Sequence, residues 1–197
     1  MVYRFYCRSV QRATRALSKT LDWKMPTVKT GEDALLAIPE IIREKQVGKV
    51  LIVTDETMVS LKLIDRLLNP LQSEGHPFAL FHKTVPNPTI DNIEEAFTMY
   101  KQEGCLGIVA FGGGSALDCA KGVAARVAQP KKSIAKMRGM MKVKEETPLF
   151  IAVPTTSGTG SEGTLAAVIS NSKTKEKYAI ADMMLVPDYA ILDPTLH

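Results

Sequence analysis

Two stretches of the chain combine glycines with hydroxyl side chains directly after short apolar runs. Residues 112–115 (GGGS) follow the apolar run that ends at Phe111, and residues 153–162 (VPTTSGTGSE) include the end of another. Glycine lets the backbone turn tightly and lets a ligand approach closely. Free backbone N–H groups at the start of a helix, together with the helix dipole, attract phosphate. The two stretches therefore predict a site for a polar ligand, and the first predicts that this ligand carries phosphate.

The glycine turn also has a purely structural interpretation. Ser115 and Asp118 have the spacing of a capping box, with Asp in place of the usual Glu, and such a pair only begins a helix. The turn alone leaves phosphate binding and tight packing equally open. The second stretch is more specific, because a turn needs one or two hydroxyl or glycine residues, whereas this one has five hydroxyls and two glycines. The five hydroxyls belong to Thr155, Thr156, Ser157, Thr159 and Ser161.

Two further polar residues stand at predicted turns. Asp55 follows a predicted strand at residues 50–54, where an acid is the usual partner for the ribose hydroxyls of adenosine and repels a 2′-phosphate. A helix N-cap is the alternative for Asp55, and this residue precedes the glycines, whereas the acid of the G-x-G-x-x-G fingerprint follows them. Asn87 lies in the rigid turn VPNPT at residues 85–89, where an Asn between two prolines is most often structural.

These residues are positioned by short apolar strands that alternate with longer helical segments. Strands are predicted at residues 50–54, 77–82, 106–111 and 148–154, with short strand-like pieces at 164–170, 177–180 and 189–192. Helices are predicted at residues 57–73, 89–104 and 115–128, the second with Thr89 as its N-cap. This alternation predicts parallel βαβ units and hence a doubly wound α/β sheet, with ligands beyond the carboxyl ends of the strands. The basic residues 131–146 are expected to form an exposed excursion.

The composition fits a globular protein and argues against several classes of function. The chain has 197 residues, 45% of them hydrophobic, and its three cysteines lack the C-x-x-C pairing of a zinc site. No apolar run is long enough to span a bilayer. The first nineteen residues hold five bases and no acid, so the remainder is close to neutral and nucleic-acid binding is not expected. The five bases are Arg4, Arg8, Arg12, Arg15 and Lys19.

We expect residues 1–24 to form a basic N-terminal arm and residues 25–197 to form one domain. The bases recur every three or four residues, along one side of a possible helix. A solvated arm, an organelle-targeting segment and a membrane-surface helix all remain open for this stretch. A cytoplasmic location is expected for the protein, because its scattered cysteines fit a reducing compartment.

Taken together, these stretches resemble the iron-containing (group III) alcohol dehydrogenases. The matching pieces occur in the family's order over residues 48–194: KVLIVTDE, VPNPT, GIVAFGGGSALDCAKGVA, FIAVPTTSGTGSE, KEKYAI and VPDYAILDP. The resemblance implies an N-terminal, mostly parallel, Rossmann-like α/β domain that binds NAD(P). It also implies a C-terminal helical domain that holds a divalent metal, iron or zinc. We expect residues 25–197 to form the first domain and the helical domain to be absent.

The resemblance further implies roles for single residues in cofactor binding. Gly113, Gly114 and Ser115 would bind the pyrophosphate, with Asp118 near the nicotinamide side. Thr155, Thr156, Thr159 and Ser161 would line the cofactor cleft. Asp55 would face the adenosine ribose and favour NAD over NADP, Asn87 would touch the cofactor, and Lys177 would reach toward the nicotinamide ribose.

No catalytic or metal-binding residue is expected in this chain. The family's metal ligands, an Asp and a His in a D-x-x-x-H helix and two later histidines, are expected beyond residue 197. Asp193 and His197 have that spacing, but LDP at residues 192–194 matches the strand end that precedes the helical domain. The expected function is therefore the cofactor-binding part of a metal-dependent NAD(P) alcohol dehydrogenase, inactive by itself.

Three alternatives to that function remain open, one of them that the chain pairs with a separately encoded helical half. The chain is alternatively a non-catalytic module that binds a nucleotide or a partner. It is alternatively a relative of the glycerol dehydrogenase and dehydroquinate synthase branch, although PTTSGTGSE with GGGSALD favours the alcohol dehydrogenases. The full-length enzyme would convert a small alcohol to an aldehyde or ketone by hydride transfer, and a homo-oligomer is expected.

Overall fold

The computed structural model describes residues 24–196, so the basic arm predicted at residues 1–24 lies outside it except for Lys24, and the prediction for His197 also lies outside it. The described chain contains nine strands and five α-helices. The strands are β1 (Thr27–Thr30), β2 (Val50–Val53), β3 (Phe78–Phe81), β4 (Gly107–Gly112), β5 (Gly139–Met140), β6 (Leu149–Pro154), β7 (Ala166–Ser170), β8 (Lys177–Ala181) and β9 (Tyr189–Leu192). The helices are α1 (Ala37–Glu44), α2 (Glu56–Ser60), α3 (Asp65–Ser73), α4 (Ile90–Gln102) and α5 (Gly114–Ala128).

Six strands form the main sheet, in the order β1-β9-β6-β4-β2-β3, and every neighbouring pair is parallel. The central strands are apolar throughout because both faces of the sheet are covered. Leu51 and Val53 of β2 pack in one hydrophobic cluster with α4 and α5, while Val50 and Ile52 pack in a second cluster with α1 and α3. The predicted doubly wound, Rossmann-like α/β architecture is confirmed.

Several predicted elements need adjustment. The helix predicted at residues 57–73 is two helices, α2 and α3, because the chain turns at Lys62, whose φ is +56°. The strand β1 and the helix α1 were not predicted from the sequence. Thr89 is the N-cap of α4 as predicted, and its hydroxyl accepts a hydrogen bond from the Asn92 N–H. None of the helices within residues 24–196 has the length and apolar character needed to cross a bilayer.

The segment at residues 131–146 differs from the predicted exposed excursion. It carries many exposed residues, but Ile134, Met137 and Val143 are buried in the hydrophobic cluster under α5. Its strand β5 joins a second, three-stranded sheet in the order β5-β8-β7. The Asp182 carboxylate anchors the end of the segment by accepting hydrogen bonds from the backbone N–H groups of Val143 and Lys144.

Gly122 sets the close approach of α5 to α4. A Cβ built on Gly122 would lie 2.4 Å from Ile93 Cδ1 and 2.8 Å from Ile93 Cγ1. We expect Gly122→Ala to lower the free energy of unfolding by about 1–2 kcal/mol, because overpacking outweighs the better helix propensity of alanine. Urea unfolding monitored by circular dichroism measures this effect.

Gly122→Ala should no longer destabilise the protein when Ile93 is replaced by alanine. Ile93→Ala removes all three side-chain atoms that approach the Gly122 position. In that background Gly122→Ala should be neutral or stabilising by up to about 1 kcal/mol, because only the helix-propensity gain remains. Equal effects in both backgrounds would show that the contact with Ile93 does not limit residue 122.

Candidate functional site

The carboxyl ends of four strands converge on one open cleft of about 760 Å³. The chain runs from β2 outward to β3 and then returns to β4 on the other side of β2, which makes a topological switch point between β2 and β4. Such a point is the usual ligand crevice of an open parallel sheet. Thirteen residues line the cleft, at positions 55–58, 83–86, 113–115 and 155–156, and each group follows one of the four strands.

The glycine turn leads directly from β4 into α5. Gly112 has φ of +144°, a conformation that side chains with a Cβ rarely adopt, and Gly113 is the N-cap in an extended conformation. The alternative of a capping box at this turn is wrong, since Ser115 and Asp118 do not cap the helix. The Ser115 hydroxyl accepts a hydrogen bond from the Asn87 N–H, and the Asp118 carboxylate accepts one from the Val168 N–H.

The hydroxyl-rich stretch lies against this turn without room for side chains between them. A Cβ built on Gly113 would lie 3.3 Å from Thr156 Oγ1, and one on Gly114 would lie 3.2 Å from Thr159 Cγ2. The N–H groups of Gly114 and Ser115 precede the first hydrogen bonds of α5, which the Ala116 and Leu117 N–H groups donate to the Gly113 carbonyl. The glycine backbone and the threonine hydroxyls therefore form a polar mouth, which suits an anionic group.

Asp55 is a helix N-cap, as one of its two predicted alternatives has it, and it also lines the cleft. It is the N-cap of α2, and its Oδ1 accepts a hydrogen bond of 3.1 Å from the Met58 N–H. The carboxylate also lines the cleft, and its Oδ2 would lie 3.3 Å from a Cβ built on Gly112. The cap thus fixes a negative charge beside the glycine turn.

Asn87 and Lys177 lie beside the cleft and connect it to the second sheet. Lys177 Nζ donates a hydrogen bond of 2.9 Å to Asn87 Oδ1, and the Asn87 N–H donates one of 3.2 Å to Ser115 Oγ. Asn87 has φ of +55°, a conformation that Asn adopts more readily than most residues. These bonds link β8, the proline-bracketed turn and the first turn of α5.

Six of the eleven predicted site residues line the cleft itself: Asp55, Gly113, Gly114, Ser115, Thr155 and Thr156. The other five stand behind or beside it: Asn87, Asp118, Thr159, Ser161 and Lys177. Asp118 is half-buried, and burial raises the pKa of its carboxyl. The Val168 N–H, the Lys121 charge and the Ser161 hydroxyl oppose that rise.

Sequence reasoning missed two lysines at this site. Lys83 lines the cleft after β3, and its ammonium donates a hydrogen bond of 2.7 Å to Glu95, which raises the pKa of Lys83. Its place at the end of a predicted strand was the available signal. Lys121 is fully buried on α5 and donates a hydrogen bond to the Ser161 carbonyl, at the end of the hydroxyl-rich stretch. Nothing in the sequence around Lys121 indicated its burial.

The described residues offer no donor set for a metal. Within residues 24–196, no group of three or more His, Cys, Asp or Glu side chains lies close enough together to hold a metal ion. The polar groups of the cleft are backbone N–H groups, hydroxyls, two acids and one lysine. This set suits a phosphate-bearing organic ligand rather than a metal.

The family model of iron-containing alcohol dehydrogenases matches residues 26–194. The chain belongs to this family. One relative, the NAD-dependent methanol dehydrogenase of Bacillus methanolicus, is 37% identical over 163 residues. That match covers 81% of this chain and 42% of the relative.

Solved structures of this alcohol dehydrogenase family share the fold described above. The alcohol dehydrogenase from Oenococcus oeni is 34% identical with a TM-score of 0.84, and the match covers 90% of this chain and 47% of that one. The sulfoacetaldehyde reductase from Bifidobacterium kashiwanohense, solved in complex with NAD+, is 29% identical with a TM-score of 0.77. That match covers 89% of this chain and 46% of the other. The chain thus spans about half the length of these relatives.

Proposed function

We propose that residues 25–197 form the NAD-binding domain of an alcohol dehydrogenase that converts an alcohol to an aldehyde or ketone. The observation that carries this proposal is the cleft at the switch point, where the glycine turn meets the threonine hydroxyls. Backbone N–H groups at a helix N-terminus bind pyrophosphate without needing a basic side chain. The NAD-dependent methanol dehydrogenase and the reductase complex with NAD+ support the same cofactor.

Each part of the cleft has a proposed contact with the dinucleotide. Gly113, Gly114 and Ser115 bind the pyrophosphate through backbone N–H groups, and Asp55 accepts hydrogen bonds from the adenosine ribose. The hydroxyls of Thr155 and Thr156 line the cleft, and Thr159 and Ser161 support the glycine turn from outside it. Asn87, Lys177 and Asp118 lie on the proposed nicotinamide side.

In this proposal the nicotinamide supplies the hydride acceptor, and the chain holds it in place. The described residues bind the cofactor, orient it across the strand ends and fix the adenosine end by charge. The described residues present no donor set for iron or zinc and therefore have no proposed role on either metal. The residues that bind the substrate alcohol are proposed to lie in the part of the relatives that the chain does not span.

Calorimetric titration with NADH and NADPH tests the proposal directly. The chain should bind NADH saturably and NADPH more weakly, because the Asp55 carboxylate repels a 2′-phosphate. Absence of saturable binding of either dinucleotide by the folded chain would overturn the proposed function. Equal binding of the two would retain the cofactor site but remove the assigned role of Asp55.

Neutralising Asp55 should change cofactor preference more than it changes stability. We expect Asp55→Asn to raise the affinity for NADPH relative to NADH by about tenfold, because the repulsive charge is lost. Asparagine keeps a side-chain oxygen that can still accept from the Met58 N–H, so the helix cap persists. Isothermal calorimetry with both dinucleotides gives the ratio, and Asp55→Gly should change it in the same direction. An unchanged ratio in both variants would place the ribose elsewhere.

A further inference from the structure

Lys121 is a buried ammonium whose hydrogen bonds all go to one short segment of the chain. The residue is 0% exposed on the face of α5. Its Nζ donates to the carbonyl oxygens of Ser161, Thr164 and Ala166, at 2.8, 2.7 and 2.9 Å, and contacts Thr164 Oγ1 at 2.8 Å. One point charge therefore gathers the segment 161–166 around itself.

That segment is the outer end of the hydroxyl-rich loop. Residues 156–160 are all exposed, so no buried side chain holds them in place. The loop is fixed on its inner side by the Thr155 N–H, which donates to the Gly112 carbonyl. Lys121 fixes it on the outer side, just beyond Ser161, whose Oγ would lie 3.6 Å from a Cβ built on Gly114.

The helix α5 thus carries both the N–H groups that face the cleft and the lysine that bonds to the loop. Its first turn, at Gly114, presents backbone N–H groups to the cleft, and Lys121 stands about two turns farther along it. A shift of the loop relative to α5 would move Thr156 and Thr159 away from the glycine turn, which they closely approach. Lys121 is therefore placed to hold the loop against the glycine turn.

Burying the Lys121 ammonium costs free energy, and packing at this position does not require a charged side chain. A buried ammonium loses its hydration, and apolar side chains of similar volume often stabilise such a position equally well or better. Burial lowers the pKa of Lys121 to about 8, although the carboxylates of Asp118 and Glu162 act to raise it. These two are the charged groups that act on Lys121 from its own helix and from the loop, and among residues 24–196 no other element contributes one.

We propose that Lys121 is a positioning residue that holds the hydroxyl-rich loop over the glycine turn, and that loss of its charge loosens the loop and weakens dinucleotide binding. The second half of this inference rests on the proposed cofactor function. The first half concerns the loop alone. It is testable without any ligand.

Deprotonation of Lys121 should change dinucleotide affinity and the free energy of unfolding in opposite directions, so the two effects can be told apart. Above about pH 8 Lys121 loses its proton, keeps two N–H groups for four acceptors, and binds the loop less well. Dinucleotide affinity should therefore fall as the pH rises through about 8. The contribution of Lys121 to the free energy of unfolding changes the other way. The unfolded chain holds this proton up to about pH 10.5, so between the two pKa values that contribution rises with pH.

Amide hydrogen exchange and calorimetry on Lys121→Met test the two halves together. Methionine keeps a long apolar side chain without the charge, and Lys29→Met, on the exposed strand β1, is the matched control. We expect exchange of peptide 156–166 to accelerate at least about tenfold in ligand-free Lys121→Met at about pH 7, with no change in the control. NADH should bind about tenfold more weakly to Lys121→Met at that pH, and its affinity should then be independent of pH between about 7 and 9.

Each outcome has a distinct meaning. Unchanged exchange of peptide 156–166 in Lys121→Met would overturn the positioning role, and identical pH profiles of wild type and variant would overturn the role of the charge. Failure of wild type to bind NADH at any pH would overturn the cofactor function and the binding half, while exchange would still decide the positioning half. If Lys121→Met does not fold, protection of peptide 156–166 in wild type, corrected for intrinsic rates, should fall between about pH 7 and pH 9.5. Constant protection would overturn the proposal.

Discussion

Gly114→Val should weaken NADH binding by at least about a hundredfold, equivalent to about 2.7 kcal/mol. A Cβ at this position would lie 3.2 Å from Thr159 Cγ2 and 3.6 Å from Ser161 Oγ, so the loop must move even before the two valine methyl groups are added. These methyl groups would also cover the N–H groups of the first turn of α5, which the pyrophosphate is proposed to approach. Calorimetric titration of the purified variant with NADH measures the loss.

Gly48→Val, just before β2 and at the end of that strand opposite to the cleft, is the matched control for this substitution. A Cβ built on Gly48 makes only an ordinary contact of 3.6 Å with Leu106 Cδ1, and the residue is exposed. The control should bind NADH like wild type, and the circular dichroism spectra of both variants should match that of wild type. Wild-type affinity in Gly114→Val would show that the dinucleotide does not approach the glycine turn.

Asp182→Asn should lower the free energy of unfolding by about 3 kcal/mol. The Asp182 carboxylate is 2% exposed and accepts three backbone N–H groups, from Val143 and Lys144 at Oδ2 and from Met184 at Oδ1. An asparagine offers one acceptor oxygen, so its amide NH₂ must face at least one N–H donor in a buried site. The loss is a large fraction of the stability of a typical domain.

Urea unfolding of Asp182→Asn beside Asp65→Asn tests this expectation. Asp65 lies in the first turn of α3 and is only partly buried, so its neutralisation should cost less than about 1 kcal/mol. Amide exchange should also accelerate in residues 138–146 of Asp182→Asn, because the bonds that hold this segment are lost. A loss as small as that of the control would mean that the segment is held mainly by its buried apolar side chains.

The sequence predicted the parts of the fold in which local pattern and burial agree. The central strands β2, β4 and β6 are short apolar runs followed by turn residues, which is how strands buried on both faces look in a sequence. The cleft followed from them, because the carboxyl ends of parallel strands meet at one edge. The N-cap at Thr89 was predicted because its hydroxyl acts within one turn of chain.

The parts that escaped prediction depend on contacts between distant residues. The strand β1 has the sequence TVKT, exposed at all four positions, and lies in the sheet only because β9 pairs with it. Lys121 stands in an ordinary helical sequence, and its burial is decided by carbonyl groups some forty residues away. The partner of Asp118 was not predictable from local spacing either, because its carboxylate accepts from the Val168 N–H and not from a group of its own helix. Spacing along one element does not reveal such partners.

The pairing of β1 with β9 also bears on how the domain is made by the ribosome. Thr27 pairs with Tyr189, so the earliest described strand meets its only neighbour in the sheet after nearly all of the described chain has been synthesised. Contacts between residues so far apart in the chain slow folding and lengthen the time that a strand edge stays open to other nascent chains. The polar sequence TVKT with its central lysine is poorly suited to such mispairing. The strand that stays unpaired longest thus carries a polar sequence that disfavours aggregation during synthesis.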